Sequence, residues 1–330
     1  MLRGVACPRR GDGLWQPSAS RTALLARQSL YQTIRRYFAE QGVLEVDTPI
    51  LGQAPVSDPN IDVMSIDLVH TDTRRYLHTS PEYAMKRLLC AGSGDIYQIC
   101  KVFRAGEAGQ RHNPEFTMLE WYRLGWSLSQ LMDEVATIVH QSLETRWPTL
   151  SVLHFSYAEA MQRFVDIDVH RATDSELAVI GTTLAGQDLG LSRDGWLDII
   201  MSHQVEPALP SDTLVFINDF PASQAALAQV TTNVDGIPVA QRFELFFNGT
   251  ELANGYFELT DPAEQRQRFQ QERERGTLDL ERPLDENLLA ALASGLPSCV
   301  GVAMGLDRLL MHQQQASAIA EVLSFDWTRA

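Results

Sequence analysis

Three short segments gather side chains suited to handling phosphates and ammonium groups. The first runs Phe103-Arg104, then Arg111-His112-Asn113-Pro114-Glu115-Phe116-Thr117-Met118-Leu119-Glu120. Alternation along a strand puts Phe116, Met118, Glu120 and Tyr122 on one face. Glu120 is the odd acid on that apolar face. A buried carboxylate needs a partner, and a bound ammonium would be one. Arg104, on the preceding strand, carries the planar fork that clamps a phosphate or carboxylate with two prongs. Taken alone, the segment also fits a hairpin held by a Glu–Arg ion pair.

The second segment is Gly301-Val302-Ala303-Met304-Gly305-Leu306-Asp307-Arg308. Small residues at 301, 303 and 305 share one strand face and let a ligand approach the backbone. Arg308 then falls at a helix start, where anions bind. A cation there opposes the helix dipole, so some other need holds it in place. The third segment, Gly42-Val43-Leu44-Glu45-Val46-Asp47-Thr48-Pro49, reads physically as a helix stop, a strand and a proline terminator.

The elements that must position these residues follow from periodicity. Leu24, Tyr31, Ile34 and Phe38 recur at helical spacing and predict a helix over 21–41, capped by Ser18 or Ser20. Strands are predicted over 43–46, 96–103 and 116–122, the last two as a hairpin with a long loop. Ser127 with Gln130 three residues on is a capping box opening a helix to about Trp147. Residues 155–210 read as mostly helical, without nameable chemistry. Strands follow at 214–218, 243–247 and 255–259, a helix at 284–294, a strand at 300–304 and a helix from Asp307. That order predicts one α+β domain, 21–330, with a mainly antiparallel sheet flanked by helices. Residues 1–20 read as a poorly ordered leader.

The chain has 330 residues, 45% hydrophobic and 21% charged, as ordinary soluble enzymes do. No apolar run is long enough to span a bilayer and no signal-peptide stretch precedes Trp15, so no membrane partner and a cytoplasmic location are expected. The four cysteines form no CxxC pair and no Cys/His cluster, which argues against zinc and a disulfide framework. Net charge is −15, with 42 acids against 27 bases and no basic run, so an extended tRNA footprint is not expected.

In order and spacing the three segments resemble motifs 1, 2 and 3 of class II aminoacyl-tRNA synthetases. The likeness is closest to the lysyl branch and runs from about Arg21 to the C-terminus. Arg111 to Glu120, Glu244-Leu245-Phe246-Phe247 and Glu251-Leu252-Ala253-Asn254-Gly255 carry it. Phe220-Pro221-Ala222-Ser223-Gln224-Ala225 and Met118 to Arg123 resemble, more narrowly, the short paralogues that modify elongation factor P.

The resemblance implies the class II catalytic fold and a set of roles. Arg104 and Arg308 would be catalytic, holding phosphates and the substrate carboxylate. Phe116 would stack on adenine, and Ala105, Gly106, Glu107, His112, Asn113, Glu251, Leu252 and Gly305 would complete the ATP site. Ser80, Pro81, Glu82, Glu120, Tyr122, Asn254, Tyr256, Glu258 and Ala303 would bind a lysine-like amino acid, and Glu244 with Glu251 would hold Mg²⁺. The chain departs from the pattern twice. Gly106 stands where an acid is usual, with Glu107 next to it. Ala303 stands where lysyl synthetases have Gly, and its methyl group would disfavour an α-amino group and admit a β-amino acid. The implied activity is ATP-dependent activation of (R)-β-lysine, or lysine, as acyl-adenylate, then transfer to a lysine side chain of elongation factor P. The helix starting near residue 21 leaves no room for an N-terminal anticodon-binding OB-fold, and motif 1 implies a homodimer. Two other readings remain: a stand-alone amino-acid ligase acting on tRNA, a carrier domain or a small molecule, and a catalytically dead sensor of an amino acid.

Overall fold

The computed structural model describes residues 13, 15–57, 61–69, 71, 73–275 and 282–330. Ser20 caps α1 (Arg21–Glu40) by accepting from Ala23 N, and the helix buries Ala23, Leu30, Ile34 and Phe38 on one stripe. Phe38 stacks on Tyr97 with centroids 4.3 Å apart and meets Trp121 edge-on, fixing α1 against the sheet. Short strands β1 (Leu44–Glu45) and β2 (Leu51–Gly52) follow, then β3 (Ser65–Leu68) and β4 (Thr73–Leu77). Helix α2 (Glu82–Cys90) precedes the hairpin β5 (Ile96–Phe103) and β6 (Glu115–Leu124), paired from Ile96↔Tyr122 to Phe103↔Glu115. The capping box at Ser127 and Gln130 opens α3 (Leu128–Leu143).

Residues 151–208 form β7 (Ser151–Ser156), α4 (Tyr157–Val165), α5 (Asp174–Ala185), α6 (Arg193–Ile200), a π turn at Met201–Val205 and the short α7 (Glu206–Ala208). They pack a second core around Tyr157, Trp196 and Phe246 against the outer strands. The chain returns through β8 (Thr213–Pro221), β9 (Val230–Thr232), β10 (Pro238–Phe247) and β11 (Thr250–Phe257). It continues with α8 (Pro262–Arg275), α9 (Glu286–Gly295), β12 (Cys299–Gly305) and α10 (Leu306–Gln314).

The main sheet runs β1-β5-β6-β12-β11-β10-β8-β7, with β9 beside β10. Its pairings are antiparallel except β1–β5 and β7–β8 at the two edges, in line with the expected α+β class. A small sheet, β2-β4-β3, and helix α8 were not foreseen. The small sheet's strands are short and mostly exposed, so no apolar alternation marks them.

Of the expected leader, residues 1–12 and 14 lie outside the described residues, and so does Cys7. Residues 16–20 are tied to the C-terminal tail: Ser18 N donates to Ser324 O (2.8 Å), and Arg329 donates to Gln16 O (3.1 Å). Cys90, Cys100 and Cys299 are free thiols. Among the described residues, no helix is long and apolar enough to cross a membrane.

Candidate active site

The alternate residues of β6, β12, β11 and β10 wall a cavity of about 310 Å³. Phe116, Met118, Glu120 and Tyr122 come from β6, Gly301, Ala303 and Gly305 from β12, and Asn254 and Tyr256 from β11. Gly301 is required by packing, since a Cβ there would stand 2.3 Å from the Tyr122 ring and 2.5 Å from Glu258 Oε1. Most residues named from sequence reach this one cavity. Pro81, Ala105 and Gly106 do not line it. Pro81 instead stands at the N-cap position of α2 without a side-chain capping bond, and Ala105 N donates to Asp62 O (2.8 Å).

One end is built for anions. Arg104 lies over the Phe116 ring at 5.1 Å, and its Nη1 is 3.8 Å from Glu107 Oε1. Gly106 has φ +78°, a left-handed backbone that favours glycine, so the loop's acid projects from position 107. Arg308 donates to Glu251 O (2.9 Å) and to His112 Nε2 (2.7 Å). That contact requires an unprotonated Nε2, and burial with the adjacent Arg308 lowers the His112 pKa. Asn113 is pinned rather than free. Its amide donates to Glu115 O (2.6 Å) and its Oδ1 accepts from Trp327 N (2.9 Å).

The two carboxylates expected to hold metal each have an arginine partner. Arg242 bonds Glu244 at 2.5 Å, and Arg308 Nη1 stands 3.5 Å from Glu251 Oε2. Burial raises Glu244 well above the usual carboxylate range despite Arg242, and nearby Glu251 pushes it further. Among the described residues, no group of three or more His, Cys, Asp or Glu is arranged to hold a metal ion. The pair does fit a hard cation by donor chemistry, since both carboxylates face the cavity and crowd each other electrostatically.

The other end is acidic. Glu120, 3% exposed, accepts from Ser80 Oγ (2.8 Å) and Tyr122 OH (2.7 Å). Burial, and secondarily the charge of Glu82, push its pKa up to about 8. Buried Lys86 reaches Glu82 Oε1 and Glu258 Oε2, both at 2.6 Å. Burial alone would push the Glu258 carboxyl up and the Lys86 ammonium down. Their contact, together with Glu82, outweighs this for Lys86, whose pKa is raised, and the two form a buried ion pair. With every group ionised, Glu82, Glu120 and Glu258 against Lys86 leave this end two negative charges in excess.

Sequence reasoning missed Lys86, Arg242 and Asp307. Lys86 had a signal: it lies four residues after Glu82 and three before Leu89, on the buried face of α2. Arg242 shares a strand face with Glu244, opposite buried Phe243 and Leu245. Asp307, 1% exposed, accepts from Arg27 (2.5 Å) and Thr117 N (2.6 Å), joining α1, β6 and α10.

Comparison with known proteins agrees with this geometry. The chain matches the family tRNA synthetases class II (D, K and N) over residues 14–329. It is 46% identical over 325 residues to a protein of Edwardsiella ictaluri (strain 93-146) named elongation factor P–(R)-β-lysine ligase, covering 96% of this chain and 98% of that one. Proteins of the same name from Hamiltonella defensa and Pectobacterium carotovorum are 45% and 44% identical over the same shares. With a family match across nearly its whole length and such relatives beside it, the chain belongs to the class II tRNA synthetase family.

Proposed function

We propose that this chain activates (R)-β-lysine with ATP and transfers it to a lysine side chain of elongation factor P, in the cytoplasm. One observation carries the reading. A single cavity joins a phosphate-binding end, Arg104, Arg308 and Phe116, to an end where three buried carboxyls, Glu82, Glu120 and Glu258, face one lysine, Lys86. A diamino acid brings two ammonium groups to that end and leaves its carboxylate facing the arginines. The names of the 44–46% identical relatives support the same substrate and acceptor.

The chemistry follows from the arrangement. Glu120, Glu258 and the amide of Asn254 hold the ammonium groups, and Phe116 stacks on adenine. Arg104 orients the substrate carboxylate against the α-phosphorus. Its oxygen forms the new O–P bond as the α–β bridge breaks, and pyrophosphate leaves with the electron pair. Arg104 and Arg308 offset charge developing on the phosphate oxygens. Glu244 and Glu251 would hold Mg²⁺, which when bound supplies further neutralisation of those oxygens. The acceptor amine then forms a C–N bond at the acyl carbon, AMP departs, and the amine gives up a proton. No covalent protein intermediate is needed.

ATP–pyrophosphate exchange tests the first half of the reaction. Exchange is expected with (R)-β-lysine, and more weakly with lysine. No exchange with either would leave the dead-sensor reading standing.

A further inference from the structure

The segment that follows α10 makes bonds the chemistry above does not use. Val322 and Leu323 are buried in the main core, and Arg27 donates to Val322 O (2.7 Å). Ser18 Oγ accepts from Asp326 N (2.9 Å), and Ser18 N donates to Ser324 O (2.8 Å). The segment is thus fixed from behind. Its front clamps the β5–β6 loop at two points. Ile319 N donates to Gln110 O (2.8 Å), and the Gln110 amide donates to Ser317 O (3.0 Å). Further along the loop, Trp327 N donates to Asn113 Oδ1 (2.9 Å). Arg111 and His112, which both line the central cavity, lie between the two clamps.

The second clamp settles how the Asn113 amide is turned. A backbone N–H can only donate and a carbonyl can only accept. Trp327 N therefore takes Oδ1, and Glu115 O takes one proton of Nδ2 (2.6 Å). Among the described residues no acceptor takes the other Nδ2 proton, and Asn113 lines the cavity. The side chain is only 7% exposed, so water is a poor substitute for the Trp327 N–H. We propose that Trp327 is a positioning residue for the nucleotide, its backbone N–H turning Asn113 into a donor toward ATP. The inference rests on the adenylate-forming reading above and adds to it a residue outside the cavity.

Proline at 327 tests this, because it removes the backbone N–H. Trp327 is 56% exposed and opens a final turn in which Arg329 N donates to Asp326 O (2.9 Å), a first-turn position that proline tolerates. Trp327→Ala keeps the N–H and controls for the lost ring. Binding of α,β-methylene-ATP and of (R)-β-lysine is measured by calorimetry. Trp327→Pro is expected to bind the ATP analogue roughly fivefold more weakly than Trp327→Ala, the worth of one hydrogen bond, with (R)-β-lysine affinity within about twofold. In an Asn113→Ala background the proline should add nothing, since the bond is already gone. A chain ended at Asp326 removes the same N–H by a second route and should behave alike in both backgrounds. Equal affinity of the proline and alanine variants for the analogue overturns the inference. So does an equal fall for both ligands, or a full proline effect in the Asn113→Ala background. A wild type that binds the analogue but exchanges pyrophosphate with no diamino acid overturns the ligase reading instead and leaves Trp327 in its role.

Discussion

Glu120 shows how one residue couples recognition to pH. Its carboxyl is raised to about 8 by burial and, secondarily, by the charge of Glu82. A substrate ammonium binds the ionised form, so affinity should rise as pH goes from 6.5 to 8.5, and binding should release protons. The stability sign is opposite without ligand. Between the ordinary carboxylate value and about 8 the folded state holds a proton the unfolded state lacks, so stability falls as pH rises. Ligand-induced shifts in Tm should therefore be larger at pH 8.5 than at 6.5, measured by thermal denaturation. Shifts equal at both values would place the ammonium elsewhere. Glu120→Gln should raise KM for the amino acid about 30- to 100-fold, the worth of a charge-assisted bond of ~2–3 kcal/mol, with KM for ATP within threefold. Ala303 pairs with Glu120 on one side and Asn254 on the other, and it lines the cavity. Ala303→Gly should shift kcat/KM toward α-lysine; an unchanged ratio would remove Ala303 from the selectivity argument.

Elements bring these residues together, and they were unequally legible. The hairpin of β5 and β6 and the β12–α10 turn were readable because strand alternation and helix stops are local signals. The joins between elements were not. Asp307 follows a glycine-rich strand and looks like an ordinary first-turn acid, yet it links Arg27 of α1 to the backbone beside Phe116. Arg27 in turn reads as a solvent residue on an amphipathic helix. They are 280 positions apart in sequence, and only the fold brings them into contact. For Lys86 only the local half, Glu82, was readable, since Glu258 reaches it from another element. Asp307→Ala should lower stability by about 3–5 kcal/mol in chemical denaturation, as loss of one partner of a buried pair does. Because α10 carries Arg308, KM for ATP should rise more than KM for the amino acid. Equal effects on both would make Asp307 a general stabiliser.

At the scale of the whole molecule, acid dominates the charge, and around motif 1 several large apolar side chains stand exposed beside the ion pairs Arg35–Glu45 and Arg74–Asp67. Leu44, Ile50, Leu51 and Ile66 are each at least 40% exposed on or beside β1, β2 and β3. That surface is the proposed homodimer contact. Light scattering with size exclusion should give twice the chain mass, and Ile66→Asp should shift it toward monomer; a monomeric wild type would refute the dimer. Net charge of −15 fits a small, specific acceptor surface better than a long nucleic-acid grip. The most direct test offers labelled (R)-β-lysine, ATP and Mg²⁺ with purified elongation factor P in one tube and total tRNA in another. The expected result is label fixed on an elongation factor P lysine side chain and none on tRNA. Label on tRNA alone would contradict the account.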